Sequence, residues 1–264
     1  MRTHLCGRSV LTLLLASLFL IVFALPAAFG QDPVVAKVGP RGALVLMSGD
    51  RALATLTLNA HGAGWKHVEQ DDATAALKDL DPGPGRVCEG NLAVPDTDGG
   101  AVRFREVVRP IEKGLSLAYE LGFSKALSLN GLQVSLYLSP DAYAGKEVAI
   151  TSPAAQDQAA AVTRITLPAE VDQQKWQLGM AAADKVEIAA GTDQAITLTP
   201  KLPQVEGKAA QPAMFIVQDL RRWNTNAFEI RWFLIMDDKG KQVTADEAPG
   251  VAFTLGFPRE LRLE

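Results

Sequence analysis

The sequence predicts an all-β protein, a large antiparallel two-sheet sandwich (supersandwich-like) with one or two short helices. Three observations predict it: apolar and polar residues alternate at period two along much of the chain, turn signals separate the alternating runs, and helical periodicity is scarce. Leu115, Leu117, Tyr119 and Leu121 point one way while Ser116, Ala118 and Glu120 point the other; Val134, Leu136 and Leu138 are broken in the same manner by Ser135 and Tyr137. Many short strands with so little helix read as a sandwich. No sequence repeat stands out, which weighs against a propeller or solenoid.

Taken in order, the chain opens on an address. Arg2, His4 and Arg8 precede an uncharged apolar run from Val10 to Leu25, and Pro26-Ala27-Ala28-Phe29-Gly30 follows. This reads as a secretory signal over residues 1–30, cleaved before Gln31, with a secreted or periplasmic destination. An N-terminal membrane anchor facing outside the cytoplasm is the alternative, because the run nearly reaches the length of a span. Residues 31–264 read as a single sandwich domain, the alternative being two smaller sandwiches that divide near 152–161.

Strands are expected near 34–38, 43–47 and 52–58, with turns at Gly39-Pro40 and Ser48-Gly49-Asp50. Residues 59–97 read as a long irregular excursion, in which Asp72 caps a short helix through Leu80 that Asp81-Pro82-Gly83-Pro84-Gly85 ends. Further strands follow near 101–108, 114–122, 130–138, 146–151 and 162–167. Gln156–Ala161 reads as a loop or brief helix, and Pro168–Lys175 as a helical turn or two. The last strands lie near 185–189, 194–199, 213–219, 228–236 and 251–256.

Composition bounds the class. The chain has 264 residues, 48% of them hydrophobic, with 22 Gly and 15 Pro, which excludes collagen-like and disordered classes. Its 26 Lys and Arg against 30 Asp and Glu leave a formal charge of −4, so no cationic excess is available for nucleic acid. Loss of residues 1–30 removes Arg2 and Arg8 and no acid, making that charge two units more negative. It also leaves Cys88 alone of the 2 Cys, so no intrachain disulfide forms. Between apolar Val87 and acidic Glu89, Cys88 reads as a small buried hydrophobe rather than a reactive thiol.

Two clusters carry candidate chemistry. In Asn59-Ala60-His61-Gly62-Ala63-Gly64-Trp65-Lys66-His67-Val68-Glu69, an extended Trp65–Glu69 would put Trp65, His67 and Glu69 on one face. An aromatic platform beside a base and a carboxylate suits sugar binding or proton transfer. The His spacing matches no zinc motif, so no metal is expected. The second cluster joins two strands through an amide-rich turn, where Arg222, Trp223, Asn224 and Asn226 combine an indole with directional polar groups. A plainer account makes Trp65 an edge plug, Trp176 packing, and Glu229 and Arg231 partners in exposed surface pairs. Asp71-Asp72 and Asp237-Asp238 read as solvated turns rather than calcium loops. The chain lacks the Gly-x-Ser-x-Gly elbow, the phosphate-cradling loop and the dinucleotide fingerprint.

The segment Gly114-Leu-Ser-Leu-Ala-Tyr-Glu-Leu121, with Leu132-Gln-Val-Ser-Leu-Tyr-Leu138, resembles strands of galactose-mutarotase-like supersandwiches over about a third of the chain. That resemblance implies a supersandwich and a sugar-related context. In mutarotases a His and a Glu perform the acid–base step, but no motif here assigns those roles to His61, His67 or Glu69. The expected function is an exported carbohydrate-binding β-sandwich without catalysis of its own, with a carbohydrate ligand and no cofactor. No nucleic acid is expected as a partner, and no membrane after signal cleavage. The alternatives are a carbohydrate-active enzyme of epimerase or lyase type using His67 and Glu69, and a structural or assembly protein of the cell envelope.

Overall fold

A computed structural model describes residues 33–154, 160–201 and 213–264. The signal segment and most of the Gln156–Ala161 stretch lie outside the described residues. Among those described, the strands are β1 (Val34–Val38), β2 (Leu44–Ser48), β3 (Arg51–His61), β4 (His67–Glu69), β5 (Thr74–Asp79), β6 (Arg86–Ala93), β7 (Ala101–Ile111), β8 (Gly114–Phe123) and β9 (Leu127–Leu138). They continue with β10 (Glu147–Thr151), β11 (Val162–Thr166), β12 (Gln177–Ala183), β13 (Lys185–Ile188), β14 (Ile196–Lys201), β15 (Ala213–Asp219), β16 (Phe228–Val243), β17 (Gly250–Gly256) and β18 (Leu261–Leu263). One short α-helix, α1, spans Pro140–Tyr143.

The strands form two nine-stranded sheets. The first runs β12-β15-β16-β9-β3-β2-β1-β18, with β4 paired to β3; the second runs β11-β10-β13-β14-β17-β8-β7-β6-β5. All pairings are antiparallel except β1 with β18. The chain passes repeatedly from one sheet to the other, as where β3 and β4 lead into the β5–β8 meander and β9 returns to the first sheet.

The period-two pattern sorts side chains as expected. Leu115, Leu117, Tyr119 and Leu121 of β8 join Leu56, Leu58, Leu136 and Leu138 of the first sheet in one core, all nearly inaccessible to solvent. Trp232 of β16 ties the layers together, its ring 5.6 Å from Phe215 in its own sheet and 5.8 Å, edge-on, from Phe253 in the other. Cys88 is a buried free thiol. Burial and the nearby charges of Glu106 and Glu89 push its pKa up to about 12, which leaves it inert.

A polar bridge crosses this interior. Between the stretches of β3 that pair with β2 and with β4, the Leu58 amide donates to Gln70 Oε1 at 2.9 Å. Gln70 Nε2 then donates to Glu106 Oε2 of the second sheet at 2.7 Å, and the Tyr119 hydroxyl to Glu106 Oε1 at 2.7 Å. Gly42 (φ +99) closes over the pair, where a Cβ would stand 2.2 Å from Gln70 Nε2 and 2.4 Å from Glu106 Oε2. The backbone conformation and the close approach both require glycine there.

The structure corrects the reading of 59–97. This stretch is not an irregular excursion: it holds the end of β3, then β4, β5 and β6, with single 3-10 turns at Ala63–Trp65 and Gln70–Asp72. The helix expected from Asp72 to Leu80 is strand β5, because Thr74–Asp79 pairs residue for residue with Arg86–Asn91. That ladder overrides the helix propensity of Ala75, Ala76, Leu77 and Lys78. Pro168–Lys175 is not helical either. Its backbone is held by Arg221, which donates to the carbonyls of Pro168 and Ala169 at 2.8 and 3.0 Å.

Candidate functional site

The outward face of the first sheet is polar yet largely shielded from water. Antiparallel register puts directly paired residues on one face, so the rows can be read from the ladder. One row runs Glu69, Asn59, Gln133, Phe233, and the next His67, His61, Gly131, Met236. A third runs Thr57, Ser135, Arg231, Ile216, and Tyr137, Glu229 and Gln218 stand together in a fourth. Asn59 and Gln133 are 1% exposed, Gln218 3%, and Ser135 and Glu229 0%.

Three structures stand over these rows. The chain after β3 turns through Gly64 and Trp65, both at positive φ, and brings Trp65 back over the sheet. Gly131 makes room for it: a Cβ there would lie 2.8 Å from His61 Cδ2 and 3.1 Å from Trp65 Cζ3. The Asp237–Gly240 excursion of β16 holds the indole from the other side, with Trp65 Nε1 donating to Asp238 Oδ1 at 3.2 Å. Asn130 fixes that excursion by donating to the carbonyls of Asp237 and Asp238 at 2.8 and 2.9 Å. At the opposite end Trp176 and Trp223 pack together at 5.6 Å.

The base of that second end is an ion pair. Asp219, 1% exposed, takes Arg221 in a fork, at 2.9 Å from Nε and 2.7 Å from Nη2. The guanidinium also lies 4.4 Å from the Phe228 ring centre. Because Arg221 binds the Pro168 and Ala169 carbonyls as well, it ties the approach to Trp176 to the turn that carries Trp223.

Together these elements enclose a cleft of about 880 Å³, lined by His61, Trp65, His67, Glu69, Trp176 and Trp223 above Asn59, Gln133, Tyr137, Gln218 and Arg231. Within it Asn59 Nδ2 donates to Ser135 Oγ at 2.9 Å and to the Tyr137 hydroxyl at 3.0 Å; that hydroxyl donates to Glu69 Oε1 at 3.1 Å. Gln133 Nε2 donates to Ser135 Oγ at 3.1 Å and to Glu229 Oε1 at 3.4 Å. Glu229 Oε2 meets Arg231 Nε at 2.5 Å. Glu229 is fully buried and Arg231 only 19% exposed, which corrects the expectation of an exposed surface pair: both stand on the floor of the cleft, within the rows of the first sheet.

Several buried polar atoms of this floor have no hydrogen-bond partner among the described residues, and most of them are acceptors. Asn59 Oδ1, His61 Nε2, Gln133 Oε1 and Gln218 Oε1 are buried and make no hydrogen bond among the described residues, whereas Glu229 Oε2 and Arg231 Nε have each other as an ion pair. His61 Nδ1 lies 3.3 Å from the Trp65 carbonyl, a contact that needs the proton on Nδ1 and leaves Nε2 a lone-pair acceptor. Burial, followed by the charges of Arg231 and His67, lowers the His61 pKa to about 4 against the opposing pull of that carbonyl, so the ring is neutral at pH 7. Burial raises the Glu229 pKa, although Arg231 opposes the shift. Burial also raises the Tyr137 hydroxyl, helped by the charges of Glu229 and Glu69. Among the described residues, no group of three His, Cys, Asp or Glu is placed to hold a metal ion.

Of the residues singled out in the sequence, Trp65, His67, Glu69 and Trp223 line this cleft. His67 Nε2 stands 3.7 Å from Glu69 Oε1. Arg222, Asn224 and Asn226 do not line it. Arg222 lies against the Trp223 ring, 4.8 Å from its centre, Asn224 adopts the left-handed conformation that ends the turn (φ 62), and Asn226 is exposed. Trp176, read as packing, is a wall of the cleft. Asn59, Gln133 and Gln218 have no site role in the sequence reading, and Arg231 has only that of a surface-pair partner. The signal that would have found them is a row of amides on strands otherwise rich in Leu and Val, since Asn is depleted from strands and buried amides need partners.

No protein-family model matches the chain, and no curated protein matches it in sequence. Among solved structures, the chain is similar to the Slr1438 protein of Synechocystis sp. PCC 6803, with 7% identity over 83% of this chain and 89% of that one, and a TM-score of 0.49. It is also similar to an Escherichia coli K12 protein described provisionally as an aldose 1-epimerase, with 10% identity over 85% of this chain and 97% of that one, and a TM-score of 0.41. Both likenesses have TM-scores below 0.5, and the fold and the chemistry of the cleft are read from this chain's own residues.

Proposed function

We propose that this is an exported carbohydrate-binding β-sandwich, with its sugar site in the cleft on the outward face of the first sheet. The observation that carries the reading is the set of unsatisfied buried acceptors set between indole planes. A buried acceptor without a donor costs about 1–3 kcal/mol, and a ligand that brings hydroxyl donors relieves that cost. Sugars carry many hydroxyls beside apolar C–H faces. The hydroxyls suit Asn59, His61, Gln133 and Gln218, and the C–H faces suit Trp65, Trp176 and Trp223. Export rests on the cationic, apolar and small-residue order of residues 1–30.

Glycan-array or affinity-gel retention of the purified protein tests this. Retention that weakens in Trp65→Ala and Trp223→Ala supports the site; retention unchanged in both rejects it. A second reading, an enzyme of epimerase or lyase type, draws on the approach of His67 to Glu69 at the rim and on the shifted His61 and Glu229 within the cleft. A pH–rate profile on candidate sugars separates the two, since turnover abolished by His67→Gln and Glu69→Gln favours the enzyme.

A further inference from the structure

We infer that the cleft takes an extended glycan of several sugar units, neutral or amino-bearing, rather than a single sugar or an acidic chain; this rests on the carbohydrate reading above. The length argument comes from the register. Trp65 stands over Gly131, and the opposite wall rises beside the row that holds Tyr137, Glu229 and Gln218. That end is fixed by the Asp219 amide, which donates to the Trp176 carbonyl at 2.8 Å, and by the contact of Trp176 with Trp223. Gly131 and Tyr137 are six steps apart along β9, which strand rise makes about 20 Å. The path also crosses sideways from β9 past β16 to β15, about 10 Å at the usual strand spacing, which makes the diagonal about 22 Å. The backbones that carry the two aromatic ends are therefore much further apart than the width of one pyranose ring. Acceptors stand at both ends of the path, with His61, Asn59 and Gln133 in the two rows at the Trp65 end and Gln218 in the row at the Trp223 end. A single sugar would meet one platform and strand the rest.

The charge argument is separate. Glu69 and Asp238 are carboxylates of the lining, and the guanidinium of Arg231 is matched by Glu229. No unmatched cation among the lining residues waits for a uronate or sulfate, and outside the Glu229–Arg231 pair the unpartnered atoms of the floor are acceptors. Hydroxyl and ammonium donors fit this surface, and carboxylates do not.

The test is a titration series on the full protein. The probes are N-acetylglucosamine and its β-1,4 oligomers of two to six units, glucosamine oligomers of equal length, and oligogalacturonates, within an array of other neutral glycans at each length. Affinity that rises at least tenfold from the single sugar to the tetramer, with oligogalacturonates weakest, is the expected result. Trp223→Ala and the milder Trp65→Phe should each weaken the tetramer several-fold without moving the urea midpoint. Binding of single sugars as tightly as their oligomers, or preference for the acidic oligomers, overturns this inference and leaves the carbohydrate reading standing. Binding of no glycan at any length overturns both.

Discussion

Glu106 offers a prediction that can be worked through in numbers. Its carboxyl lies between the sheets with 0% exposure, held by Gln70 and Tyr119 and facing no cation among the described residues. Burial raises its pKa from an ordinary 4.5 to about 7, although both hydrogen bonds pull it down. Between those two values the folded chain keeps a proton that the unfolded chain has released. Stability from this group is therefore greatest below pH 4.5 and falls as pH rises toward 7, by roughly 3 kcal/mol over the window. His61 works in the opposite direction. Its folded pKa of about 4 lies below the ordinary 6.5, so its contribution is full above pH 6.5 and is lost as pH falls toward 4. The two slopes partly cancel in the native protein. Glu106→Gln removes one of them, and its amide can still accept from Gln70 and donate to Tyr119. Urea unfolding of both proteins at several pH values from about 4 to 8 gives the difference directly. The variant should gain on the native protein by roughly 3 kcal/mol as pH rises through the window. A difference that stays flat, or that runs the other way, refutes the account of this bridge.

Three other outcomes follow from the packing. Gly131→Ala pushes a methyl into His61 and Trp65, so it should weaken glycan binding and shift Trp fluorescence at a folding cost of about 1–3 kcal/mol, read by urea unfolding. Arg221→Ala leaves Asp219 buried without its partner and should cost about 3–5 kcal/mol by the same measurement. It should also weaken binding, because the Trp176 and Trp223 walls lose their tie. Cys88 should react with a thiol reagent only at the rate of unfolding, and fast labelling of the native protein would contradict its placement.

The strands that read clearly are those with one face on the interior. Leu115, Leu117 and Tyr119 alternate with Ser116 and Ala118 because that face packs and the other does not. β6 was hidden because Gly90 and the charges at Arg86 and Glu89 break its alternation, and β5 because its Ala-rich run favours helix when taken alone. Neither residue run shows that it will pair with the other. The site divides in the same way. Trp65, His67, Glu69 and Trp223 stood out as local clusters of chemistry in turns. Asn59, Gln133, Gln218 and Arg231 look solvent-facing on their own strands. They become a buried floor only when β3, β9, β15 and β16 are set side by side and the indoles fold over them, and no local pattern records that event.

The 4 Trp of the chain give the most direct test of the central claim. Trp65, Trp176 and Trp223 wall the cleft, while Trp232 lies in the interior against Phe215 and Phe253. In an NMR titration with an oligosaccharide retained on the array, the indole N–H signals of the first three should move together and that of Trp232 should stay in place. A bound glycan that leaves the three cleft indoles unmoved would contradict the account.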